Sequence, residues 1–135
     1  MLAPKIKKYI ERLTEKSPEI EAIWLIGSRA NGNAKSCSDW DLLVFGDINT
    51  FNRVKTDISF HCDEIDLLIV IGDEFSKPYG NPKAGSLQQW KWEIKWGNDA
   101  TYNGTKWIPD LEAESEGMSN MGQFIEQTLK AVKVY

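Results

Sequence analysis

Asp39 and Asp41 stand two residues apart, and ten residues separate them from Gly27-Ser28. On an extended strand, residues i and i+2 face the same side with Cα atoms about 6.6 Å apart, close enough for two carboxylates to converge on divalent cations. Hard cations such as Mg²⁺ take oxygen ligands, and two-metal sites hold their ions about 3.5 to 4 Å apart for in-line phosphoryl chemistry. Gly27 has no Cβ to block a polyphosphate, and a turn there would present backbone N–H groups and the Ser28 hydroxyl to it. Asp66 interrupts the third apolar run, where an unpartnered carboxylate would be costly to bury and a metal is a natural partner. Asp63 and Glu64 lie nearby, and a register shift of one residue would turn Asp66 to the other face. Arg29 has two readings, a phosphate contact or a solvent-exposed loop cation.

These residues need a frame. Ile6, Ile10 and Leu13 recur at helical spacing within 4–16, and Ser17-Pro18 supplies a stop. Ala22 to Ile26 is a short apolar run ending in Gly27, which fits a buried strand leading into a turn. Arg29 to Ser38 is rich in Asn, Ser and Gly and predicts a loop, with room for a short helical turn at its start. Asp39 to Phe45 and Glu64 to Ile71 predict two further core strands, with a helix over 50–58 capped by Asn49 or Thr50 between them. The order helix, strand, loop, strand, helix, strand is that of an α/β fold.

Beyond this core, 73–85 is rich in Pro and Gly and predicts an irregular excursion. Trp90, Trp92, Ile94 and Trp96 alternate with polar residues, so a strand is expected there, turning at Gly97-Asn98-Asp99 toward a partner near 102–108. Residues 110–120 are acidic and polar, and Phe124, Ile125, Leu129 and Val132 predict a closing helix. One domain over 1–135 is expected, with a motif core at about 20–71 and a divergent extension over 80–135.

Composition narrows the function. Sixteen basic and twenty acidic residues give a net charge of −4, the wrong sign for a protein that grips a long nucleic-acid backbone. The N-terminal residues contain no signal-type apolar run and no segment reaches the roughly 20 apolar residues of a membrane span, so a cytoplasmic location is expected. Cys37 and Cys62 form no CxxC pair and are expected to be small buried residues.

The stretch IWLIGSRANGNAKSCSDWDLLVFG resembles the signature of the DNA polymerase β-type nucleotidyltransferase superfamily: Gly-Ser, ten residues, then Asp-x-Asp. Within it the chain looks most like the minimal nucleotidyltransferases, single-domain proteins often encoded beside a helical partner in toxin–antitoxin or defence pairs. The resemblance implies an α/β (α+β) nucleotidyltransferase fold, a mixed sheet flanked by helices, here with a C-terminal Trp-rich hairpin and helix. It further implies that Gly27 and Ser28 bind the β- and γ-phosphates of ATP or another NTP and that Asp39 and Asp41 ligate two Mg²⁺ ions, with Mn²⁺ an alternative. Asp66 would complete the catalytic metal and help deprotonate an acceptor hydroxyl. The implied reaction moves a nucleoside monophosphate, AMP being the expected one, to a hydroxyl of a protein partner or small molecule. An inactive, antitoxin-like binding module is the alternative.

Blander readings stand beside these. Lys35 reads as a loop lysine, and His61 as a surface or edge residue rather than a ligand. The tryptophans read first as half a sheet face packed on the core. A base-stacking platform, a partner surface, or a hairpin that extends the sheet and shapes the acceptor pocket are the other readings.

Overall fold

The computed structural model describes residues 2–80, 85–109, 111–112, 117 and 121–135. Helix α1 (Pro4–Lys16) opens on a proline in its first turn and buries Ile6, Tyr9, Ile10 and Leu13, the apolar face that the sequence spacing predicts. Strand β1 (Ala22–Ile26) leads through Gly27 into the one-turn helix α2 (Ser28–Asn31). Strand β2 (Trp40–Gly46) follows, then helix α3 (Ile48–Thr56) and strand β3 (Ile65–Ile71). The cap of α3 is Asp47 rather than Asn49 or Thr50. Its carboxylate accepts the N–H groups of Asn49 and Thr50, while the Thr50 hydroxyl accepts the Asp47 N–H, so Thr50 is the third residue of a capping box.

The sheet continues through β4 (Glu74–Ser76), β5 (Glu93–Trp96), β6 (Asp99–Pro109) and β7 (Gly122–Lys133), seven strands in the order β4-β3-β2-β1-β7-β6-β5. It is mixed: β2 and β3 run parallel, and the other pairs are antiparallel. Strand parity divides its core in two. Leu42, Val44, Leu67 and Ile69 face α1 and α3, while Leu43, Leu68 and Val70 face the other way, toward Phe75, Ala100 and Tyr102.

Two expectations for the C-terminal half are corrected. Residues 122–133 form strand β7, not a helix: the segment pairs with β6 along its length and with β1 at Leu25 and Trp24. Strand β6 pairs with one edge of its backbone along the length and β1 with the other edge at Val132 and Lys133, and Leu129 and Ala131 alternate inward. The tryptophan run is not one strand either. Ser86 caps a one-turn helix α4 (Leu87–Trp90), Lys91 adopts φ 52 at its end, and only Glu93–Trp96 is extended. Trp92 packs edge-on against Trp24 with ring centroids 5.2 Å apart, whereas Trp96 is 84% exposed. The hairpin does extend the main sheet, through β6 and β7.

Residues 81–84 of the expected irregular excursion, and 110, 113–116 and 118–120 of the acidic segment, lie outside the described residues. Cys37 is exposed and Cys62 half-buried, so the expectation of two buried thiols fails; Cys37 falls in the polar loop before β2. Among the described residues no helix is long and apolar enough to cross a membrane.

Candidate active site

Asp41 and Asp66 occupy paired positions on the parallel strands β2 and β3. Adjacent strands lie about 4.8 Å apart, so the two side chains leave the sheet side by side. Asp41 shares its face with Leu43, and Asp66 with Leu68 and Val70, the face opposite α1 and α3. Both carboxylates therefore open into a cavity of about 500 Å³ that Gly27, Lys77, Trp90 and Tyr102 also line.

Gly27 is the hinge of this site. Its backbone lies at φ 72 and ψ −157, a region that only glycine enters freely. A Cβ there would overlap the Asp41 carboxylate. The turn is fixed from three sides. Its N–H donates to the Tyr102 hydroxyl at 3.0 Å, its carbonyl accepts from Asn31 Nδ2 at 2.8 Å, and Asn31 also exchanges two hydrogen bonds with the Lys130 backbone on β7. Burial pushes the Tyr102 phenol above its ordinary pKa, the Gly27 N–H opposes that shift, and the Asp41 charge adds to it.

The remaining predicted residues are placed differently. Ser28 opens α2 and is half-buried. Arg29 turns away from the cavity: its guanidinium lies 4.3 Å from the centroid of the Trp40 ring and donates to the Ser38 carbonyl at 2.8 Å. It staples the loop over 32–38 and faces a separate cleft. Asp39 is the residue before β2, is exposed, and lines that cleft and another shared with Asp66 and Lys77.

Among the described residues no three His, Cys, Asp or Glu side chains gather as a metal site. The in-register pair still suits one Mg²⁺ ion, which keeps several waters and takes one or two carboxylates together with substrate phosphates. Gly27 leaves open beside Asp41 the space that a Cβ would fill. The donor chemistry fits a hard cation at Asp41 and Asp66.

A family model described as polymerase beta, nucleotidyltransferase, matches residues 5–76, just over half of the chain. The chain belongs to the polymerase beta nucleotidyltransferase family. The match runs from α1 through β4 and so contains Gly27, Asp39, Asp41 and Asp66. No curated protein and no solved structure matches the chain significantly.

Sequence reasoning missed Lys77, Tyr102 and Asn31. Lys77 Nζ pairs with Asp66 Oδ1 at 2.9 Å. None of the three carries a motif. Tyr102 comes near Gly27 only through the β1-β7-β6 strand order, and Asn31 looks like any loop amide until β7 is in place.

Proposed function

We propose that this nucleotidyltransferase-family protein transfers a nucleoside monophosphate, AMP from ATP in the expected reaction, to a hydroxyl of a protein partner or a small molecule, with Mg²⁺ as cofactor. The observation that carries this reading is the Asp41 and Asp66 pair, in register on neighbouring strands beside the Gly27 turn. Mg²⁺ held there would offset developing charge on the phosphate oxygens. The acceptor oxygen would attack the α-phosphorus, the bond to the β-phosphate oxygen would break, pyrophosphate would leave, and the acceptor proton would pass to a carboxylate, Asp66 being the candidate base. The experiment is transfer of label from α-³²P-ATP with Mg²⁺ into a host-cell extract, wild type against Asp41→Asn. Label that depends on Asp41 supports the reading; equal labelling by the Asp41→Asn variant overturns the assignment of the site.

The second reading is a non-catalytic partner protein built on the same fold. One observation favours it: the C-terminal ribbon exposes Ile94, Trp96 and Phe124. A helical partner encoded nearby would suit such a surface. Under this reading no extract is labelled with any of the four NTPs, and Trp96→Ala weakens partner binding while Asp41→Asn does not.

A further inference from the structure

Lys77 follows β4, one residue beyond the family match, which stops at Ser76. It is the one cation among the described residues that lines the cavity of Asp41 and Asp66. Its ammonium sits 2.9 Å from Asp66 Oδ1, with the side chain 23% exposed. Arg29, the cation nearest the motif in sequence, is held by Ser38 and Trp40 and faces another cleft.

Two carboxylates on neighbouring strands repel each other, and Lys77 offsets that repulsion at Asp66. A divalent cation seeking the same carboxylate competes with the ammonium for its oxygens and charge. A lysine suits such an exchange, being a compact charge on a flexible four-carbon stem and a common ligand of phosphate oxygens. A triphosphate drawn into this cavity would meet two carboxylates and a single protein cation.

We infer that Lys77 is a phosphate-binding residue that exchanges partners: it neutralises Asp66 before nucleotide binds, and moves to the triphosphate oxygens when the nucleotide's metal takes over Asp66. The inference rests on the nucleotidyl-transfer reading of this site. It requires opposite effects on two ligands. Lys77 competes with a metal that arrives alone, yet assists a metal that arrives with a triphosphate.

The test uses the full chain, as wild type, Lys77→Met and Lys77→Arg, with Asp41→Asn as the control. Binding of Mn²⁺ alone is followed by the paramagnetic resonance of the free ion. Binding of the Mg²⁺ complex of α,β-methylene-ATP, which resists transfer, is followed by calorimetry. Lys77→Met should bind Mn²⁺ several-fold more tightly and the nucleotide about tenfold more weakly, the loss expected for one charge-assisted hydrogen bond. Lys77→Arg, which keeps the charge, should stay near wild type on both. Affinities that are unchanged, or that move in the same direction, overturn the inference. If circular dichroism shows that Lys77→Met does not fold, Lys77→Gln is read by the same criteria. Mn²⁺ binding lost in Asp41→Asn but unaltered in Lys77→Met removes the role of Lys77 alone. Mn²⁺ binding that is indifferent to Asp41→Asn removes the transfer reading and this inference with it.

Discussion

Gly27 carries the sharpest requirement at the scale of single residues. Alanine there must hold φ 72 and ψ −157, a strain of about 1–3 kcal/mol, and its methyl group would displace the Asp41 carboxylate. Gly27→Ala is therefore expected to lower the urea midpoint and, under the proposed function, to reduce transfer by at least about a hundredfold, the scale on which a small misplacement of reacting groups acts. Ala30→Gly in the following turn is the comparison: it should change transfer little. Much of this site was legible from residue types alone, because Gly-Ser and Asp-x-Asp are local patterns and Asp66 breaks an otherwise apolar strand. The partners that set its geometry were not. Tyr102 and Lys77 reach it from β6 and from the end of β4, a proximity created by strand order and not by spacing along the chain.

At the scale of elements, the tryptophan segment separates periodicity from environment. Trp92 touches Trp24, Phe45 and Tyr102, with ring centroids 5.2, 5.7 and 6.3 Å away, while Trp96 stands in solvent. Trp92→Ala should therefore cost about 3 kcal/mol, the lower end for truncating a packed aromatic. Trp96→Ala should stay within about 0.5 kcal/mol, as surface changes do. Chemical denaturation of the two variants checks this, and equal costs would mean that the two indoles share an environment. Strands β1, β2 and β3 were readable because buried strands need apolar residues on both faces. Strand β7 was not. Phe124, Ile125, Leu129 and Val132 fit a helical period by accident, and the backbone bonds to β6 and β1 that override it are invisible in local sequence. Helix α4 escaped for a related reason: the Ser86 cap and the positive φ of Lys91 interrupt a run whose side chains alternate as a strand's would.

At the scale of the whole molecule, three tyrosines tie separate elements together, and all three have phenol pKa values raised above about 10, the ordinary value. Tyr9 donates from α1 to the Phe60 carbonyl at 2.7 Å; burial, chiefly, raises its pKa. Tyr79, after β4, donates to the carbonyls of Val54 and Asp57 at the end of α3, and burial followed by the Asp57 charge raises its pKa. Tyr102 joins β6 to the turn after β1. In each case the folded chain holds the phenolic proton more tightly than the unfolded chain does. The stabilisation is thus fully present below the unfolded pKa and is lost as pH rises from about 10 through the folded values. Unfolding free energy should fall steadily above about pH 10, with tyrosinate absorbance rising together with the loss of sheet dichroism. Tyr9→Phe, which removes one titrating group, should be less stable by about 1 kcal/mol at neutral pH for want of its hydrogen bond, but should show a shallower alkaline decline. A decline of the same slope in wild type and in Tyr9→Phe would place the alkaline sensitivity elsewhere in the molecule.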